Sequence, residues 1–441
     1  MLKLIDLRGQ QPDKATLAAA VPRAEIDIDT ATDTVAPLIA DIRVRGTEAL
    51  LEYAERFDGV RPPALRIPES EISAALQGLD PQVRAALETA ISHVRAGHEG
   101  QLPHESVTEI IPGGTVTQRW IPVRRVGLYV PGGLVPYPSS VIMNVVAAQV
   151  AGVPEIALAS PPQKDFGGGV HPTILAACAL LGVTEVYAVG GAQAIALFAY
   201  GVHEGETDRW LCEPVDTVTG PGNIYVAAAK RLVRGVCGID AEAGTTEIGI
   251  VADASANPLF VATDLISQAE HDPAAAAVLF TDSDKLAAEV DAELERLVFE
   301  QRHSERIRQS LSGQQSGVVV LDTHEQVLAA ANAYGAEHLE IHTAEALSDA
   351  AQIHNAGAIF IGPYTPVPLG DYIGGSNHVL PTGGTARYNS GLGVMSFLKS
   401  VQQLEYSNSA LEAVTDQLVT LAESENLPAH GRSALARRSV E

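Results

Sequence analysis

Basic residues are scarce. Lysine and arginine total 29 against 54 aspartates and glutamates in 441 residues, a formal net charge of −25. Phosphate backbones demand basic surfaces, so nucleic acid is excluded as a partner. Long apolar runs are also lacking. No stretch of about 20 apolar residues occurs, and the amino terminus, Met1-Leu-Lys-Leu-Ile-Asp-Leu-Arg8, lacks the extended apolar region of a signal peptide. We therefore expect a cytoplasmic protein with no membrane partner. The only cysteines, Cys178, Cys212 and Cys237, show no Cys-x-x-Cys spacing, which argues against a disulfide framework and against a thiolate zinc site. Cys178 lies in the apolar run Ile174-Leu-Ala-Ala-Cys-Ala-Leu-Leu181 and reads as core. The other two have no histidine beside them in sequence, so a cysteine thiohemiacetal, common in aldehyde oxidation, finds no evident nucleophile. What is plentiful is apolar residues, at 46%. They suffice for substantial cores, and the length allows about three domains.

The middle of the chain repeats. Ala151-Gly-Val-Pro-Glu-Ile-Ala-Leu158 and Leu181-Gly-Val-Thr-Glu-Val-Tyr-Ala188 lie thirty positions apart, each after an alanine-rich helical stretch and each entering an apolar strand. That is the period of a βαβ unit with a parallel sheet. The second strand runs into Gly190-Gly191-Ala-Gln193 and then a helical stretch, which makes an anion cradle at a helix start. It is not the Gly-x-Gly-x-x-Gly fingerprint, and close helix packing explains the glycines equally well. The first hundred residues read as mostly helical, with Asp80-Pro81 as a cap and start. Ser160 to Gly169 reads as a surface loop, Thr382 to Gly391 as a linker into a helical carboxyl-terminal segment, and Arg432 to Arg438 as a solvated basic tail.

Four stretches in the second half carry chemistry: Ser267-Gln-Ala-Glu-His271, Ala336-Glu-His338, Gly370-Asp-Tyr372 and Ser376-Asn-His-Val-Leu-Pro381. Asn257-Pro258 reads as a helix cap and first turn, and Asp272-Pro273 as the stop. Gln268 and His271 would then share a face of the last turn, where the carbonyl end of the helix favours a cation. Glu337 and His338 are proton acceptors of different basicity, ~4.3 for a free glutamate and ~6.5 for histidine, so the imidazole is the natural base at neutral pH. Adjacent residues do not share a helix face, so both serve one site only if the backbone turns there. Asp371 and His378 lie in the glycine-rich Leu369–His378 loop. One glutamine, two histidines and an aspartate form a nitrogen and oxygen set that suits zinc, with manganese or cobalt as substitutes.

Together these motifs resemble the histidinol dehydrogenase family. The resemblance also takes in Arg125-Val-Gly-Leu-Tyr-Val-Pro-Gly-Gly133, Val189-Gly-Gly-Ala-Gln-Ala194 and Thr219-Gly-Pro-Gly-Asn-Ile-Tyr225, and covers nearly the whole chain. It implies an α/β fold with two Rossmann-like parallel-sheet domains, and small amino-terminal and helical carboxyl-terminal segments that cross to a partner subunit. The expected division is residues 1–26, then 27–128 with 244–392 as the domain bearing metal and base residues, 129–243 for NAD, and 393–441 as an arm. It implies one zinc per subunit held by Gln268, His271, Asp371 and the arm's His430, the last acting across a homodimer. Glu337 and His338 would be catalytic, while Tyr129, Gln193 and Asn223 would contact NAD. Substrate would meet Thr246, His378 and Glu425 together with Gln268, His271, His338, Asp371 and His430. The implied reaction is two NAD-dependent oxidations of L-histidinol, through L-histidinal, to L-histidine.

On residues alone, Glu425 and His430 would pass for solvated groups near a terminus. One position departs from the family, which usually has proline where Thr245 stands in Ala243-Gly-Thr-Thr-Glu-Ile248. Thr246 keeps the hydroxyl, but the loop loses a stiffening residue. Two other readings stay open at this point: a dehydrogenase of other small polar alcohols, and a zinc hydrolase in which Glu337 or His338 activates water without NAD.

Overall fold

In the computed structural model, residues 1–10, 13–24, 28–132, 135–205, 207–242 and 244–438 are described. Gly133, Ala243 and the expected boundaries at 26/27 and 243/244 involve residues outside that set. Two parallel sheets organise the chain. The larger has the order Lys3–Asp6, Gly317–Val320, Ala276–Thr281, Glu247–Ala252, His338–His342 and Ala358–Ile361. The smaller runs Gly238–Ile239, Thr217–Thr219, Arg125–Tyr129, Glu155–Ser160 and Val186–Ala188. All the pairings in both are parallel. The α/β fold with two parallel sheets is therefore as expected, and the thirty-residue repeat is the pair Glu155–Ser160 and Val186–Ala188, joined through the Pro172–Leu180 helix.

Both sheets are covered on both faces, which is why their strands are runs of valine, isoleucine, leucine and alanine instead of alternating patterns. In the larger sheet Ile248, Ile250, Leu279 and Val318 pack on one side, and Val251, Phe280, Val319, Leu339 and Ile341 on the other. Strand His338–His342 breaks the rule. Its His338, Glu340 and His342 are in register with Ile248, Ile250 and Ala252, so three ionisable groups occupy the otherwise apolar face.

Several expectations change. The amino-terminal segment, expected to reach a partner subunit, has a pairing partner in its own chain. Lys3–Asp6 pairs with Gly317–Val320, closing a sheet edge that would expose unpaired amides, and the Met1 ammonium lies 2.5 Å from Asp291. The expected boundary after residue 128 falls inside the strand Arg125–Tyr129. Helices between residues 28 and 99 pack on the smaller sheet, where Val35, Ile39 and Ile42 meet Phe198 and Val218, and Leu87 and Val94 share a core with Val126 and Val146; the last of them, Pro81–Glu99, also meets residues 373–379, through His93 on the Ile373 carbonyl and His98 on Asn377. The carboxyl-terminal segment opens with a strand, Leu398–Tyr406, that pairs antiparallel with Gly114–Pro122, itself paired with Ser106–Ile111. Only then come the helices Asn408–Ser424 and Pro428–Arg438. The strand's Leu398, Val401 and Leu404 fall at every third position and do not alternate with polar residues, so it carries no period-two signal.

Among the described residues no helix is long and apolar enough to cross a membrane. All three cysteines are free and buried, and burial pushes the Cys178 thiol up to about 12.

The end of strand Thr217–Thr219 is clamped. Lys230, 1% exposed, donates to the Gly220 carbonyl and, at 2.6 Å, to Asp240, whose other oxygen accepts the Gly220 amide at 2.9 Å. Gly220 has φ +122°, and a Cβ there would lie 1.9 Å from the Tyr129 carbonyl oxygen. Left-handed strain costs about 1–3 kcal/mol in a non-glycine residue, and backbone must move as well. Gly220→Ala should therefore lower the thermal midpoint clearly; an unchanged melt would show that the turn relaxes freely.

Candidate active site

A cavity of about 1010 Å³ opens where the two sheets meet end to end. The larger sheet presents the beginnings of its strands there, through Thr246, Glu337 and His338. The smaller presents the ends, through Tyr129, Gly190 and Pro221.

The Pro258–Ala269 helix is capped by Asn257, whose side chain accepts the Leu259 amide, as its sequence suggests. It stops at Ala269, so His271 is not on its last turn. His271 follows in the bend before Asp272-Pro273, with its amide on the Gln268 carbonyl at 3.3 Å. That bend turns the imidazole into the cavity. Gln268 is 2% exposed. Its Nε2 donates to Thr246 at 2.9 Å and its Oε1 is buried without a partner.

Glu337 precedes strand His338–His342, and the break in geometry lets both neighbours line the cavity. Glu337 Oε2 accepts from the Thr246 hydroxyl at 2.6 Å and the Glu247 amide at 2.9 Å, and lies 3.6 Å from His338 Nδ1. Burial, opposed by those two donors and reinforced by Asp371, pushes its carboxyl up to about 8. His338 is lowered by burial and is therefore neutral, and neither of its buried ring nitrogens has a hydrogen-bond partner.

Asp371 lies on a short turn of π-helix, Leu369–Ile373. Three imidazoles surround its carboxylate: His338 and His378 at 3.9 Å and His271 at 4.0 Å. These gaps are too long for hydrogen bonds. An ion about 2.0–2.2 Å from each donor fits in the gap between His271 and Asp371. Burial lowers His271 and His378 too, so all three rings are neutral. His378 is fixed by the Asp371 carbonyl at 3.0 Å and the Ser140 hydroxyl at 3.0 Å.

Across the cavity, Tyr129, Gln193 and Asn223 all line the wall. Two helices start there, Gly191–Tyr200 and Ile224–Val233. Tyr129 Oη accepts the Gly191 amide at 3.0 Å, and Asn223 caps its helix through Oδ1. Their amide-rich starts are anion-receptive. Thr246 lines the cavity too, but its hydroxyl is engaged in linking Gln268 to Glu337. Thr245 lines the cavity beside it.

Glu425 and His430 do not join these residues. Both are exposed in the helical pair at the carboxyl end and neither lines this chain's cavity. Sequence reasoning passed over Ser140, Lys230 and Asp58. Lys230 had a signal, a lone cation inside Val226-Ala-Ala-Ala-Lys230. Asp58 had none. It lines the cavity near Gly190, with Oδ2 buried and unpartnered.

Neutral imidazoles and a held carboxyl facing two anion-receptive helix starts, with no cysteine at the cavity wall, describe an α/β oxidoreductase. The histidinol dehydrogenase family model matches residues 21–438. Histidinol dehydrogenases from Thermobifida fusca (strain YX) and Nocardia farcinica (strain IFM 10152) are 59% and 56% identical, each over 99% of this chain and 98% of the relative. A crystal structure of histidinol dehydrogenase from Elizabethkingia anophelis superposes with a TM-score of 0.91 at 30% identity, covering 99% of this chain and 98% of that one. The chain belongs to the histidinol dehydrogenase family. It is an oxidoreductase of histidine biosynthesis, and the hydrolase reading falls away.

Burial raises Asp58 to about 6 from 3.8. The native state therefore binds a proton there that the unfolded chain has already lost, so this group's penalty to stability is absent at low pH and grows as pH rises towards 6. Asp58→Asn should raise the thermal midpoint of the ligand-free protein at pH 7.5, with the gain shrinking near pH 4. A pH-independent gain would mean that the charge is not its origin.

Proposed function

We propose that this chain oxidises L-histidinol twice at one site, through L-histidinal to L-histidine, as a cytoplasmic homodimer using zinc and NAD. The observation that carries the reading is the convergence of Gln268, His271, Asp371, Glu337 and His338 on the cavity that also receives the two helix starts. The donor set fits a metal: a buried, unpartnered Gln268 Oε1 beside the neutral imidazole of His271 and the Asp371 carboxylate, which lie 4.0 Å apart. Gln268, His271 and Asp371 would hold zinc with His430 of a second copy. Bound there, zinc supplies a Lewis acid that fixes the imidazole and amine of histidinol. Tyr129, Gln193 and Asn223 would seat NAD, the hydride acceptor of both oxidations.

His338 accepts the hydroxyl proton in the first oxidation, because burial keeps its ring neutral. Glu337 takes a proton from the water that adds to the aldehyde. Its Oε2 is held by Thr246 and the Glu247 amide, both of which favour the carboxylate, so Oε1 is the oxygen left for water. His338, once its first proton has passed to solvent, takes the proton of the hydrate as the second hydride leaves for NAD. Thr246, His378 and the partner copy's counterpart of Glu425 would hold the substrate.

Support for the dimer comes from position. His430 and Glu425 are exposed here, on helices that follow a strand with exposed Val401 and Leu404. An arm of that kind suits an isologous exchange between two copies.

Counting NADH formed per histidinol consumed tests the double oxidation: two is expected, and one would confine the reaction to the aldehyde. His338→Asn should cut turnover about 10²–10⁴-fold without loss of fold; near-normal turnover removes His338 as the base. Mixing inactive His338→Asn and His430→Ala proteins, unfolded and refolded together, should restore partial activity through hybrid dimers. No recovery would place the whole site in one chain.

A further inference from the structure

The polar face of strand His338–His342 extends beyond the cavity. Glu340 is 0% exposed and His342 4%. Opposite them, Asp264 stands four residues, about one turn, before Gln268 on the Pro258–Ala269 helix. His342 Nε2 lies 3.2 Å from Glu340 Oε2 and 3.7 Å from Asp264 Oδ2, and the three ligand atoms lie within 4.8 Å of one another. None of the three residues lines the cavity.

We propose that Asp264, Glu340 and His342 form a second divalent-cation site that ties the Pro258–Ala269 helix to strand His338–His342. An ion about 2.0–2.2 Å from each donor puts donors at neighbouring vertices roughly 3–3.5 Å apart, close to the 3.2 and 3.7 Å that separate His342 Nε2 from the two carboxylates. One imidazole and two carboxylates suit manganese or zinc. Glu340 is oriented from behind, its Oε1 accepting the Val367 amide at 2.9 Å, as outer partners orient metal ligands. His342 has a side chain 3% exposed and aims Nε2 between the carboxylates. Its Nδ1 is buried without a partner, while Nε2 donates to Glu340 Oε2 at 3.2 Å, the hydrogen bond that a bound ion would replace once the proton moves to Nδ1. Among the described residues no lysine or arginine pairs with either carboxylate. Burial, then Glu340, raises Asp264, so the cluster must take up a proton or a cation.

The site can be read separately from the catalytic one in an Asp371→Asn background, which disables the metal set proposed for the cavity. Full-length Asp371→Asn protein, stripped with chelator and given Mn²⁺ alone, should retain one ion per chain after desalting. Its thermal midpoint should rise by a few degrees, because an ion that binds only the native state stabilises it. Adding His342→Gln should abolish both the retained ion and the shift. Glu340→Gln in the same background serves if the first double variant does not fold. Absence of retained Mn²⁺ in Asp371→Asn, or its persistence in the folded double variant, overturns the proposal. Full histidinol turnover in Asp371→Asn would count against the catalytic assignment instead.

Discussion

Strand His338–His342 places three ionisable side chains on a face whose in-register neighbours are isoleucine, alanine and phenylalanine, and the surrounding structure answers to the cost of that placement. A buried charge without a partner costs several kcal/mol, so each group must be neutralised, hydrogen-bonded or paired. His338 stays neutral. Glu337, beside it, is held by a hydroxyl and an amide that come from the start of the adjoining strand. Thr246 is the keystone of that arrangement. Its single hydroxyl donates to Glu337 and accepts from Gln268, so the orientation of the proposed metal ligand and that of the water-activating carboxylate are set by the same atom.

The two sheets then supply complementary ends. Ligands of open parallel sheets usually sit beyond the carboxyl ends of strands, and the smaller sheet obeys, with Tyr129, Gly190 and Pro221 following their strands. The larger sheet uses the opposite edge. Bringing unlike edges together yields one wall of amides and another of side-chain bases, so the proposed nucleotide binding and the proposed proton transfer would fall to different sheets. The Lys230–Asp240 clamp secures the first wall, since Gly220 touches both partners through its own backbone.

Much of this was legible in the residues. Asn257-Pro258, the glycine turn at residues 190–191 and the thirty-residue repeat are local signals with local causes, and the structure follows them. The convergence of Gln268, His271, Glu337, His338 and Asp371 came from the family resemblance, because nothing in spacing brings residues 268, 338 and 371 together. Where reading failed, the cause was non-local. The role of the amino-terminal strand depends on a partner more than 300 residues away, and the helix Ile28–Arg45 met the smaller sheet through side chains that periodicity cannot assign to a target. Asp58 offered no pattern, because its environment is built by Tyr129 and Gly190 from distant strands.

The placement of Lys3–Asp6 also bears on how the chain is made. This strand leaves the ribosome more than 300 residues before its partner, Gly317–Val320. Meanwhile the strands of the smaller sheet, all between residues 125 and 239, are complete and can close on the preceding helices. Synthesis therefore yields one finished layer beside an open one, and the first residues must wait, unpaired, for a late docking. A tag or extension at the amino terminus meets the protein at that step, where it competes with the last strand-pairing event of folding and not with catalysis.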